Sequence, residues 1–286
     1  MSKLLITGSS GFIGKYFIHK YKNQYSIQTF SFLKDSIDDL ELIGTDIVIH
    51  LSALVHQMGG ASEEEYERVN VTQTLDLAKK AKSNKIKHFI FMSSVKVYGE
   101  ETDSVYTETT DCKPEDEYGK SKLKAENELL KLEDEEFKVS ILRTPIVYGY
   151  GVKANIKNLI SLVEKVPVLP FSKIYNSRSM VYIGNLCNLL NKIIKTQSKG
   201  IFLASDDKPL STTNLIKLIA KELDKKIWLI SIPMFSSLLK LLKPSFYMRL
   251  YKSLEVDNSQ TLKKLDYSNS YSTADGIKYM ISGEDT

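Results

Sequence analysis

Short runs of consecutive apolar residues, rich in β-branched and aromatic side chains, recur at positions 3–7, 27–32, 46–52, 88–94 and 138–142. They are continuous rather than alternating in polarity, the pattern of strands buried on both faces of a parallel sheet. Between them, apolar positions recur at helical spacing over 11–23, 62–83 and 117–132. Strand and helix alternate, so the pattern predicts a doubly wound α/β fold.

Past Gly149 the pattern changes. Helical stretches at 156–166 and 183–196 mix with short strands, and a Ser-Thr-Thr cluster opens another helix over 211–223. The chain therefore divides into a dinucleotide-binding core at 1–147 and a smaller α/β substrate-binding cap at 148–286, with some segments crossing back. One stretch, 227–242 (IWLISIPMFSSLLKLL), is nearly as apolar as a membrane segment. Pro233 and Lys240 interrupt it below spanning length, so it is expected as a buried part of the cap, with peripheral membrane contact as the alternative.

Composition narrows the partners. The 39 basic and 35 acidic residues leave a formal charge of +4 spread along the chain, without the basic stripe of a nucleic-acid binder. Cys112 and Cys187 form no paired-ligand spacing, which predicts neither a disulfide nor a metal site. The first residues run straight into a strand pattern without a secretory signal, so a cytoplasmic location and no integral membrane segment are expected.

The first strand pattern leads directly into Gly8-Ser-Ser-Gly11-Phe12-Ile13-Gly14 and then a helix. In that context Gly8 permits a tight turn, Gly11 lets the backbone approach a pyrophosphate where Phe12 and Ile13 open the helix, and Gly14 lets helix and sheet pack closely. After the second strand an NAD enzyme needs a carboxylate for the ribose 2′-hydroxyl. The chain instead reads Ser31-Phe-Leu-Lys34, and Ser31 with Lys34 could neutralise a 2′-phosphate. NADPH is favoured, with NADH a competitor because Asp35 lies one residue beyond Lys34.

Ser93 and Ser94 end an apolar strand at the carboxyl edge, where open α/β sheets bind ligands. Tyr118 and Lys122 lie one helical turn apart and face the same way. Carbonyl reduction by hydride needs a proton at the oxygen, and tyrosine at its ordinary pKa near 10 is poorly matched to supplying it. A nearby Lys122 ammonium is expected to lower that value.

The GxxGxxG spacing and TGxxGFIG in particular resemble the extended, sugar-nucleotide branch of the short-chain dehydrogenase/reductase family. The resemblance implies a Rossmann-type fold, and that Lys122 also binds the nicotinamide ribose while Ser94, placed by the following Val97-Tyr98-Gly99, orients the substrate oxygen. It further implies that Leu51-Ser52-Ala53 line the cofactor and that Asn70 lies near it. On the substrate side it implies Lys96, Asn155 toward the diphosphate or sugar and Arg178 toward the nucleotide phosphates, and a homodimer built on the two long helices. His56 could reach such a site but is expected to be solvated.

Segments including SSVKVYGEET, NSRSMVYIGNL and SLEVDNSQTLKKL are similar to bacterial capsule and O-antigen 4-ketoreductases. Those enzymes reduce UDP-2-acetamido-2,6-dideoxy-hexos-4-ulose to UDP-N-acetylfucosamine or UDP-N-acetylquinovosamine, which makes a UDP-linked amino sugar the implied substrate. A UDP-hexose 4-epimerase with retained NAD is the alternative. Val95 and Lys96 stand where sugar dehydratases carry an acidic pair, which argues against water loss. The intact Ser94, Tyr118 and Lys122 argue against a non-enzymatic dinucleotide sensor. The sequence leaves open which face of C4 receives hydride.

Overall fold

A computed structural model of the chain describes residues 1–55, 61–102 and 104–284; His56 lies outside them. Six strands, β1 (Lys3–Thr7), β2 (Ser26–Phe30), β3 (Ile47–His50), β4 (His88–Ser94), β5 (Lys138–Thr144) and β6 (Gly200–Leu203), form one parallel sheet in the order β6-β5-β4-β3-β1-β2. The winding direction reverses between β1 and β3, where Thr7 stands opposite His50. That reversal opens a crevice at the carboxyl edge of the sheet.

Alternate side chains serve the two faces, as the pleat requires. Leu5, Val48 and Phe89 face helix α2 (63–83) and helix α3 (Glu117–Leu132). Leu4, Ile6 and Ile90 face helix α1 (Phe12–Tyr21) and, beyond α4 (Ala154–Lys165), helix α5 (Ile183–Thr196). Tyr21 and Tyr25 tie α1 to α5 by donating to Asn188 and Asn191 at 2.8 and 2.6 Å. Segment 183–203 thus returns from the C-terminal half to complete the sheet.

Helix α2 begins with a Ser62–Glu65 capping box and carries a π-helical stretch, Glu67–Thr72, between its α-helical ends. The remaining chain forms the cap, with α6 (Thr212–Glu222), α7 (Phe235–Leu242) and α8 (Pro244–Tyr251). Asp206 fastens it: the carboxylate accepts from Tyr148 Oη at 2.6 Å, Asn185 Nδ2 at 2.8 Å and the Tyr182 amide at 3.0 Å.

The 227–242 segment departs from the expected burial. Phe235 and Leu239 pack on the cap core, but α7 has no fully buried residue, and Trp228, Met234 and Leu241 are 71%, 81% and 80% exposed. The described chain supplies no further layer over this side, so apolar composition alone does not bury it.

Candidate active site

The glycine loop is shaped by close approach. Gly8 has φ +67°, and a Cβ there would stand 2.8 Å from Leu51 C and Ser52 N; a Cβ on Gly14 would strike the Gly8 carbonyl. Both positions therefore exclude a side chain. Gly11 caps α1 without a side chain, so the first-turn amides, Phe12 and Ile13 among them, lack intrahelical acceptors and face the crevice end of the helix. Such a cradle of amides beside Leu51, Ser52 and Ala53 fits a dinucleotide pyrophosphate.

A buried hydrogen-bond chain fixes the cradle. The Ser52 amide donates to Thr7 Oγ1 at 3.2 Å, and Thr7 Oγ1 pairs with His50 Nδ1 at 2.7 Å. On the other side His50 Nε2 meets Thr74 Oγ1 at 2.9 Å, and Thr74 donates to the Asn70 carbonyl at 2.8 Å. Because the Thr74 hydroxyl is spent on that carbonyl, Nε2 carries the imidazole proton and Nδ1 accepts. Burial, helped by the charge of Lys122, pushes His50 down to about 3, so it stays neutral.

At the end of β2 the structure places Asp35, the residue that kept NADH in competition. The Lys34 and Asp35 amides both donate to the Ser31 carbonyl at 2.9 Å, and the turn brings the Asp35 carboxylate back onto the Ser31 amide at 3.1 Å. A carboxylate thus stands at the tip of β2 beside the exposed Lys34.

Asn70 is fully buried in the π-helical stretch. Its Oδ1 accepts from the Leu54 amide at 2.8 Å, and Nδ2 donates to the Leu54 carbonyl at 2.9 Å and to Ser121 Oγ at 3.0 Å. Its amide is saturated, so it positions the loop after β3 and helix α3 rather than reaching outward. The π stretch shifts the helical register where Asn70 meets that loop.

Asp116 caps α3 by accepting from the Gly119 amide at 2.7 Å, which sets the first turn carrying Tyr118. Ser94, at the end of β4, lies near enough to the Tyr118 phenol to favour its ionised form, so the two expected catalytic hydroxyls are neighbours. The expected lowering of Tyr118 is reversed: burial pushes it up to about 12, with Ser94 opposing the rise and Asp116 and Tyr66 adding to it. Lys122 is 2% exposed; its ammonium donates to the Met92 carbonyl at 2.8 Å and lies 4.4 Å from the centre of the Phe91 ring. Burial lowers Lys122 to about 7, with Glu126 opposing. Bound to the strand backbone, it does not offset the desolvation of the phenol.

Lys96, expected on the substrate, has its ammonium engaged by Glu100 at 2.5 Å and Asp116 at 2.6 Å. It links the strand end bearing Ser94 to the cap of the Tyr118 helix. Arg178 donates to the Lys252 carbonyl at 2.9 Å, with Glu100 and Arg249 as charged neighbours. Arg249 also donates to Asn155 Oδ1 at 3.1 Å. Asn155 and Arg178 are therefore gathered by a second guanidinium, Arg249, that no motif marked. Burial lowers Arg178, and the neighbouring Arg249 charge adds to that. Planar guanidinium forks suit phosphate oxygens.

Behind Ser94 lies a buried pair that the sequence reading also missed. Arg143 Nη2 meets Glu126 Oε2 at 2.5 Å, Arg143 Nη1 donates to Tyr98 Oη at 2.7 Å, and Ser93 Oγ donates to Glu126. Arg143 sits in the motif Leu-Arg-Thr-Pro and Glu126 one turn after Lys122; only three-dimensional proximity pairs them.

Residues 4–203 match the family model for the NAD dependent epimerase/dehydratase family. A UDP-glucose 4-epimerase of Vibrio cholerae is 35% identical over 305 residues, covering 96% of this chain and 93% of that protein. An N-acetyl-alpha-D-glucosaminyl-diphospho-ditrans,octacis-undecaprenol 4-epimerase of Escherichia coli O157:H7 is 26% identical, over 78% of this chain and 73% of its own. Among solved structures, RMD from Pseudomonas aeruginosa complexed with NADPH superposes with a TM-score of 0.81 at 18% identity, covering 100% of both chains. With a family model matching most of the chain and a 35% identical relative covered almost completely, this chain belongs to the NAD dependent epimerase/dehydratase family.

Proposed function

We propose that the chain exchanges a hydride at C4 of a UDP-linked hexose, in the net direction of reducing the C4 ketone of UDP-2-acetamido-2,6-dideoxy-hexos-4-ulose. The product would be UDP-N-acetylfucosamine or UDP-N-acetylquinovosamine for surface polysaccharide. The observation that carries the reading is that Ser94 at the end of β4 neighbours Tyr118 at the start of α3, whose phenol burial holds in its protonated form. Ser94 holds the ketone oxygen and Tyr118 gives it the proton that an alkoxide needs. The bound nicotinamide would supply the hydride. Phe12, Ile13, Ser52 and Ala53 would hold its pyrophosphate and ribose, with Lys122 behind Tyr118. Asn155, Arg178 and Arg249 would take the UDP diphosphate. A cytoplasmic homodimer through α2 and α3 completes the proposal.

A second reading, 4-epimerisation with retained NAD, is favoured by two observations. Asp35 supplies the carboxylate whose absence had argued for NADPH, and the Vibrio relative is a 4-epimerase. One experiment separates the two. Purified protein is given the 4-keto UDP-sugar with NADPH or NADH, and the C4 configuration of the product is read by NMR. Loss of reduced-nicotinamide absorbance with a single C4 epimer formed supports reduction. Stoichiometric NAD released on denaturation, with redox-neutral interconversion of UDP-N-acetylhexosamines, overturns it.

A further inference from the structure

Between Asp224 and Glu255 the chain has no acidic residue and six basic ones, Lys225, Lys226, Lys240, Lys243, Arg249 and Lys252. The same stretch carries the largest gathering of exposed apolar side chains among the described residues. Helix α7 is apolar on two sides: Phe235 and Leu239, one turn apart, pack on the cap core, with Phe235 6.1 Å from the Phe171 ring. Met234, Leu238, Leu241 and Leu242, also at helical spacing, point away and are 81%, 54%, 80% and 66% exposed. Elsewhere in the same stretch, Trp228 and Phe246 are 71% and 43% exposed. Exposed apolar patches of this kind mark an interaction surface.

We propose that this surface docks on an anionic lipid bilayer. The occupant follows from the charge: apolar side chains interleaved with lysines and no carboxylate match acyl chains beneath anionic headgroups, where leucine, methionine and tryptophan insert and lysines reach the phosphates. A second protein surface would have to leave Lys240 and Lys243 unpaired or bring acidic groups of its own, whereas the headgroup layer supplies negative charge everywhere. The helices are too short to span, and no helix among the described residues is long and apolar enough to cross a membrane. Docking is therefore peripheral.

The surface also leads to the site. Helix α8 follows α7 after Lys243, and from its end Arg249 reaches Asn155 at 3.1 Å while the Lys252 carbonyl accepts from Arg178 at 2.9 Å. Seating α7 on a bilayer places the cap side of the candidate site close to the membrane surface.

The test is co-sedimentation of the full-length protein with vesicles of phosphatidylethanolamine containing roughly one-quarter phosphatidylglycerol, against neutral phosphatidylcholine vesicles. Binding is expected only to the anionic vesicles, and it should weaken in about 1 M salt, where the screening length falls to about 3 Å. Lys240→Gln with Lys243→Gln should lower the partition coefficient by about fivefold per lysine. Leu238→Glu with Leu241→Glu should lower it by tenfold or more, about the effect of removing one buried leucine. These side chains are exposed and lie outside the site, so an unchanged circular dichroism spectrum verifies that the variants are folded. The proposal fails if wild type does not sediment with anionic vesicles, or if both variants sediment as wild type does. It also fails if sedimentation velocity shows a dimer that Leu238→Glu/Leu241→Glu dissolves while no vesicle binding occurs.

Discussion

Arg143→Leu tests how the ground beneath Ser94 is held. Arg143 and Glu126 are 3% and 1% exposed, and Arg143 Nε lies 3.1 Å from both carboxylate oxygens in addition to the Nη2 contact. Removing the guanidinium strands a carboxylate that only Ser93 still serves, a loss of about 3–5 kcal/mol. For a chain of this size that lowers the melting temperature by about 10 °C. The stranded carboxyl would rise above its unfolded value near 4.3. Its penalty is then small below that pH and grows as pH rises. Replacing both partners, Glu126→Leu with Arg143→Leu, removes the buried charge and leaves the Ser93 and Tyr98 hydroxyls less well paired, at about 1–3 kcal/mol. The double variant should thus be more stable than Arg143→Leu alone. Urea melts followed by circular dichroism at pH 5 and pH 8 give all the quantities. A single variant within about 1 kcal/mol of wild type, or a double variant no better than the sum of the two singles, refutes the reasoning.

Three further outcomes follow from the site. Gly8→Ala places a Cβ against the Leu51–Ser52 backbone at positive φ, so nicotinamide cofactor affinity measured by calorimetry should fall at least tenfold; unchanged affinity would show the loop is not the cradle. His50 and His88 are held near 3 and 4 by burial, below the unfolded value of 6.5. The unfolded chain takes up protons that the folded one refuses, so stability should drop by about 3 kcal/mol per histidine between pH 7 and pH 4. His88→Asn should flatten that slope by up to one proton in equilibrium melts, and an unaltered slope contradicts the assignment. Tyr118→Phe should cut kcat by about 10²–10⁴-fold while leaving cofactor affinity intact, and near-normal turnover would remove Tyr118 as the proton donor.

The framework was legible because its signals are local. Strands 3–7 and 88–94 and helices 117–132 and 183–196 lie where the patterns placed them, since continuous apolar runs and an Asp116 cap are written in neighbouring residues. Gly8 and Gly14 were legible because a Cβ has no room there. What escaped depends on long-range geometry. Arg249 meets Asn155 across 94 residues. Asn70 was expected near the cofactor, but nothing in the sequence shows that its amide is taken by Leu54 and Ser121, and the π-helical shift beneath it has no sequence mark. Lys122 was expected to tune the phenol, but its ammonium turns to the Met92 carbonyl, a choice made by the depth of the helix on the sheet. The 227–242 stretch misled because hydrophobicity reports a preference for apolar surroundings without saying whether protein or lipid provides them.

The most direct test of hydride exchange at C4 is turnover in D₂O with protiated sugar and protiated reduced cofactor, the product read by proton NMR. Under either reduction or epimerisation the new C4 hydrogen comes from carbon, while Tyr118 exchanges only the proton on oxygen. The account predicts full protium at C4 of the product. Deuterium at C4 would mean that the carbon is protonated from solvent, and the account would be wrong.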